Sequence, residues 1–213
     1  MRITEIFHSI QGESSYAGRP CVFVRTTGCN LRCTWCDTEY AFHGGREMTV
    51  DEIVSEVERV GGDCRLVELT GGEPLLQHDI GELAASLLAA GFTVLCETSG
   101  SLPVTRLPNE VIKIVDLKCP GSGEAEANDW DNLGRLDPGR DELKFVIMDR
   151  SDYEWAVGQL RERALDRFVV HFSPEHDSMD RRELAEWVLA DGLSVRLQLQ
   201  LHKFIWEPTA RGV

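Results

Sequence analysis

Residues Pro20–Cys36 read PCVFVRTTGCNLRCTWC, an apolar, partly β-branched run that opens into a loop carrying three cysteines. The run Pro20–Thr26 has the length and composition of a buried strand. Cys29, Cys33 and Cys36 follow it at spacings of four and three residues, so one short loop can set three thiolates on three corners of a cubic cluster. Iron–sulfur clusters take thiolate ligands, and a full set is four. No fourth cysteine is near in sequence. One iron is thereby left open for a substrate or cofactor, as in catalytic rather than structural metal sites. The competing reading is a zinc site made of the same cysteines and His43, but zinc sites of that composition usually join two separated ligand pairs.

The same strand-like texture recurs at Arg65–Thr70, Phe92–Glu97, Val111–Leu117, Glu142–Met148, Arg167–Phe172 and Ser194–Leu201. Amphipathic stretches with helix-start signals lie between several of these runs. Thr49 with Glu52 and Ser151 with Glu154 read as capping boxes, Asp180 with Glu183 is an acidic version, and His78–Ala90 reads as a helix stopped by Gly91. Ser101–Glu110 and Cys119–Arg140 join strands without a clear helix, and a loop as long as the second is often functional. The expectation is an α/β fold, a partial (open) βα barrel of about six βα units, forming a single domain over residues 1–213.

In such folds ligands collect at the carboxyl ends of the strands. The cysteine loop follows the first run and Thr70-Gly71-Gly72-Glu73-Pro74 the second. Glu97-Thr98-Ser99-Gly100 follows the third, Asp116-Leu117-Lys118 ends the fourth, Lys144 lies in the fifth, and His171-Phe172-Ser173 ends the sixth. Polar clusters on one rim are what a site there requires.

Composition excludes other roles. The chain has 36 acidic and 22 basic residues, a net charge of -14, and no Lys/Arg run, which is unfavourable for nucleic acid because phosphate contacts dominate that affinity. A small-molecule substrate is expected instead. No stretch reaches the roughly 18 apolar residues of a membrane span, and the N-terminal segment has no signal-peptide core, so a cytoplasmic location with no membrane partner is expected. Seven cysteines, three within eight residues, fit metal chemistry there better than disulfides. Cys21 and Cys96 lie in apolar runs and read as buried small hydrophobes, with Cys64 and Cys119 near strand ends.

The cysteine octet, with Trp35 before its third cysteine, resembles that of the radical S-adenosylmethionine (SAM) superfamily, and Thr70–Pro74 resembles its second motif. The resemblance implies a [4Fe-4S] cluster on Cys29, Cys33 and Cys36, whose open iron chelates SAM and cleaves it to an adenosyl radical. It further implies cofactor contacts from Trp35, Asp37, Gly71, Gly72, Glu73, Thr98, Ser99, Asp116 and Lys118, with His171, Phe172 and Ser173 near the adenosine.

The flanks narrow the resemblance. Glu5–Glu13, Gly18–Arg25, Asp37-Thr38 and Gln200-Leu201-His202-Lys203 are similar to the 7-carboxy-7-deazaguanine synthase family. That similarity implies a lyase converting 6-carboxy-5,6,7,8-tetrahydropterin to 7-carboxy-7-deazaguanine with loss of ammonia, in queuosine biosynthesis. Thr38 would supply an oxygen to Mg²⁺; Ile10, Gln11, Gly12, Glu13 and Thr70 would hold the substrate; Arg25 would take its carboxylate. Either Pro208 or the terminal carboxylate would reach the substrate. A flavodoxin- or ferredoxin-type electron donor and a homodimer are implied in the same way. Two other functions compete. A glycyl-radical activase would not need the Gln11, Glu13, Arg25 and Thr38 set, and a non-catalytic zinc or iron–sulfur module would not need Gly71-Gly72-Glu73.

Overall fold

Most of the apolar strands carry one or two charged residues, and the two-residue period of a strand decides which face of the sheet receives them. A computed structural model of the chain describes residues Met1–Val213. Nine strands form one sheet: β1 Arg2–Ile10, β2 Pro20–Thr26, β3 Arg46–Glu47, β4 Leu66–Gly71, β5 Thr93–Thr98, β6 Ile112–Asp116, β7 Glu142–Ile147, β8 Val169–Pro174 and β9 Arg196–Leu197. Their spatial order is β3-β1-β2-β4-β5-β6-β7-β8-β9. From β2 to β9 all neighbours are parallel and in chain order, while β1 and β3 are added antiparallel at one edge. β3 does not pair with β9, so the barrel is open, as the sequence led us to expect.

Four of the six parallel connections carry a helix: α1 Val50–Gly61, α2 Ile80–Ala89, α3 Arg150–Glu162 and α4 Arg181–Ala190. A short α5, His202–Ile205, follows β9. The connections β5–β6 and β6–β7 hold only single turns, matching the incomplete units read from the sequence. Three local expectations needed correction. β1 pairs along its length with β2, although its residues were not read as a strand. The run Ser194–Leu201 contributes only Arg196–Leu197, and Leu201 already leads into α5. The third helix starts earlier than Ser151, because the Asp149 carboxylate accepts from the Asp152 N–H at 2.9 Å and takes the capping position. The capping box of Thr49 with Glu52 forms as expected, and Asp180 caps α4.

One face of the sheet carries Val22, Val24, Val67, Leu69, Val94, Leu143, Phe145 and Phe172, fully or nearly fully buried. Against it pack Ile53 and Val57 of α1, Leu83 and Leu87 of α2, Tyr153 and Val157 of α3 and Leu184 of α4. The other face follows from the two-residue period of a strand. At its amino-terminal end sits a small apolar plug of Cys21, Leu66, Leu95, Ile112 and Ile114. Toward the carboxyl ends the same parity presents Phe23, Arg25, Glu68, Thr70, Glu97, Asp116 and Lys144 to one cavity. No helix is long and apolar enough to cross a membrane.

The Asp149 cap gives a direct check. Asp149→Ala is expected to lower unfolding free energy by about 1 kcal/mol, whereas Ser151→Ala should leave it within a few tenths; equilibrium denaturation of both variants measures the difference.

Candidate active site

The loop after β2 is held against the end of β4 by backbone alone. The Glu73 N–H donates to the Gly28 carbonyl at 2.8 Å. A side chain at Gly72 would collide with that same carbonyl and with Cys29, so glycine is required for the cysteine loop to sit where it does. Cys29, Cys33 and Cys36 all line the cavity. Burial raises all three thiols, Cys33 to about 11, although the Lys118 ammonium works against the rise.

The donor set fits an iron–sulfur cluster. Three thiols from one loop face the cavity, and the other cysteines lie elsewhere: Cys21, Cys96 and Cys119 are fully buried, and Cys64 donates to backbone carbonyls beside β2 and β4. His43, the fourth ligand of the zinc reading, is exposed and is not among the residues that line the cavity. Two polar atoms of cavity-lining residues, Trp35 Nε1 and Asp116 Oδ1, are buried without a hydrogen-bond partner in the chain. Buried polar atoms of that kind call for a ligand.

Trp35, Asp37, Gly71, Gly72, Thr98, Ser99, Asp116, Lys118 and Ser173 line the same cavity as the cysteines. The Lys118 ammonium lies 5.0 Å from the Trp35 ring centroid and 2.8 Å from Asp116 Oδ2. Glu73 is placed differently from expectation. Its fully buried carboxylate accepts from Leu75 N–H at 3.0 Å, Thr98 Oγ1 at 2.7 Å, and Ser99 N–H and Oγ at 2.9 and 2.6 Å. With both oxygens engaged, it orients Thr98 and Ser99 and has no oxygen without a partner to offer an ammonium.

The other half of the cavity holds Ile10, Gln11, Gly12, Glu13, Arg25, Thr38 and Thr70. Gln200 Nε2 donates to Glu13 at 2.7 Å, and the Leu201 N–H donates to the Gly12 carbonyl at 3.0 Å, so the segment around α5 closes this side. Lys203 pairs with Asp37 at 2.9 Å, and the ammonium holds the Asp37 carboxyl down to about 2. The Thr38 hydroxyl donates to Asp37 Oδ1 at 2.9 Å. Arg25 gives its Nε to Glu5 at 2.7 Å, and its two terminal nitrogens make no hydrogen bond in the chain.

Besides Glu73, three expected site residues do not reach the cavity. The parity of β8 turns Phe172 outward, where its ring packs 5.7 Å from Phe145 and 5.9 Å from Tyr153 in the helix-covered core. His171 lies on the correct face but below the lining, with Nε2 2.6 Å from Glu142. Pro208 is exposed and outside, while Val213 lines the cavity.

Glu97 and Lys144 stood on the rim read from the sequence without a role of their own, and Glu68 was not singled out; all three line the cavity. The Lys144 ammonium lies 2.6 Å from Glu13 and 3.8 Å from Asp116, and pairs directly with Glu97. Burial alone would depress it, but these carboxylates hold it well above its ordinary value. The available signal was a charged residue in an apolar strand, sharing the parity of Arg25 or Thr70.

Residues 23–118 match the Radical SAM superfamily. A 7-carboxy-7-deazaguanine synthase of Koribacter versatilis is 52% identical across 100% of both chains. One from Chlorobaculum tepidum is 47% identical over 100% of this chain and 97% of its own. The crystal structure of QueE from Escherichia coli superposes with a TM-score of 0.76 at 26% identity, covering 93% of each chain.

Two substitutions test the geometry. Gly72→Ala is expected to displace the cysteine loop and reduce iron and sulfide per chain after reconstitution to below about half of the wild-type content, by analogy with other backbone-clash sites. Lys144→Met should cost about 3–5 kcal/mol near neutral pH, because it strands buried carboxylates. That deficit should shrink as pH falls, since protonation removes the unpaired charge; denaturation at several pH values reads it, and a pH-independent deficit would make the ammonium a packing element only.

Proposed function

The chain belongs to the 7-carboxy-7-deazaguanine synthase family of radical SAM enzymes, and on that premise we propose a role for each group around the cavity. The reaction is the conversion of 6-carboxy-5,6,7,8-tetrahydropterin to 7-carboxy-7-deazaguanine with loss of ammonia. One observation carries the assignment of roles: the three thiols share a single cavity with Gln11, Glu13, Arg25 and Thr38.

A [4Fe-4S] cluster with SAM supplies the radical chemistry when bound. Cys29, Cys33 and Cys36 hold the cluster. Trp35, Gly71, Gly72, Thr98, Ser99, Asp116, Lys118 and Ser173 form the cofactor half, with Glu73 fixing Thr98 and Ser99 from behind. On the substrate side, Arg25 offers its two terminal nitrogens to a carboxylate, the geometry a planar guanidinium serves best. Gln11 and Glu13 bind the ring, and both are pre-set: Gln11 Oε1 accepts from the Glu13 N–H at 2.9 Å, and Glu13 is held by Lys144 and Gln200. Thr38 gives a hydroxyl oxygen to Mg²⁺, a hard ion that keeps few protein ligands. Val213 rather than Pro208 is the C-terminal residue that meets the substrate. A homodimer, a flavodoxin- or ferredoxin-type electron donor and a cytoplasmic location complete the proposal.

Anaerobic incubation of reconstituted protein with SAM, reductant, Mg²⁺ and 6-carboxytetrahydropterin should yield 7-carboxy-7-deazaguanine by mass spectrometry. Cleavage of SAM without that product would reject the substrate. Thr38→Ala is expected to blunt the magnesium stimulation while iron content stays at the wild-type level; loss of iron would instead make Thr38 structural.

A further inference from the structure

Glu68 has no part in the roles assigned above. It lies on β4, is 3% exposed, and lines the cavity. Its Oε2 accepts from Gln11 Nε2, and Oε1 has no hydrogen-bond partner in the chain. The cation nearest at hand is already taken, since Lys144 is shared by Glu13 and Glu97. Burial, with Glu97 and Glu13 close by, pushes the Glu68 carboxyl well above the usual carboxylate range, and N–H donors brought by a ligand would draw it back toward the carboxylate.

Sheet register shows what stands beside it. Phe23 on β2 pairs with Glu68, and Phe7 on β1 pairs with Phe23; the two rings stack at 5.0 Å and 12°. Two residues further along, the next row on the same face is Glu5, Arg25 and Thr70. Rows two residues apart are separated by about 7 Å. The face therefore offers a guanidinium with a hydroxyl in one row and, in the next, a flat aromatic surface with a lone carboxyl beside it, next to the Gln11 carboxamide. A flat two-ring heterocycle with an acid at one end and N–H donors at the other is the complementary molecule.

We propose that Glu68 is a specificity-determining residue, whose carboxylate accepts the N–H donors on the amino-substituted edge of the pterin ring, at the end opposite the carboxylate taken by Arg25. The inference rests on the pterin reading given under the proposed function. Two parallel N–H groups on a carboxylate form the same fork that arginine makes, and a site built for such donors rejects an analogue lacking one of them.

The test uses reconstituted full-length protein with SAM and two redox-inert probes, 6-carboxypterin and its 2-oxo counterpart 6-carboxylumazine, titrated by fluorescence. Wild type should prefer the pterin by roughly 10-fold or more. Glu68→Gln should bind the pterin roughly 10- to 100-fold more weakly, lose the preference, and keep wild-type iron content and SAM affinity. Glu68→Ala, measured alongside, should behave alike. Either variant discriminating as wild type does would overturn the proposal, and so would a wild type that binds both probes equally, a result independent of any variant's folding. A wild type that binds neither probe would instead remove the pterin reading, and this inference with it.

Discussion

The buried ammonium of Lys144 is the interaction on which the interior of this sheet depends. Glu13, Glu68, Glu97 and Asp116 are among the carboxylates that line one cavity, and Lys144 sits among three of them. Taking such charges out of water costs several kcal/mol each unless they are paired and hydrogen-bonded. Lys118 shares Asp116 from the cofactor side, so the two lysines connect the half of the cavity that faces the thiols to the half that faces Arg25. A strand position normally filled by valine or isoleucine is thereby converted into a structural cation, and the charged face can stay desolvated.

A second constraint acts through the backbone. The cysteine loop has no helix or strand of its own at Gly28–Leu31; its position is set by contact with Gly72 and by the hydrogen bond from Glu73 N–H to Gly28. Gly71-Gly72 was read from the sequence as permitting approach to a ligand. The structure shows that it also permits approach between two loops, so the three cysteines and the end of β4 are placed together. Glu73 extends the same logic, spending its carboxylate on Thr98 and Ser99 of the next strand end. Three strand ends are thus locked to one another before any ligand binds.

Much of this was legible in the sequence, for physical reasons. Near-continuous apolar runs separated by capped helices specify parallel strands with covered faces, and Thr49 and Asp180 marked helix starts correctly because a side-chain cap is a local interaction. The cysteine spacing was equally local. What was missed depends on parity and register. Phe172 was grouped with His171 and Ser173 by proximity in the chain, yet adjacent strand residues face opposite ways, and it lies in the core. Glu68 was passed over, and Lys144 was placed on the rim without a partner, because a single charge in an apolar run says nothing until neighbouring strands show which charges share its face. The antiparallel β1 gave an ambiguous pattern, since its residues are mostly half-buried at the edge of the sheet.

The closing segment around α5 has a consequence for synthesis of the chain. Gln200 bonds to Glu13, Leu201 to Gly12 and Lys203 to Asp37, so wall residues from the two ends of the sequence meet across the cavity. Glu13 and Gln200 are 187 residues apart. At ~5–20 residues per second, the early loop waits roughly 10–40 s on the ribosome for its late partner. During that interval the three thiols are already outside the tunnel while the chamber that encloses them lacks a side. Synthesis of this cavity is therefore ordered in time: the three cysteines emerge early, and the residues that close the wall beside Glu13 and Asp37 are made much later.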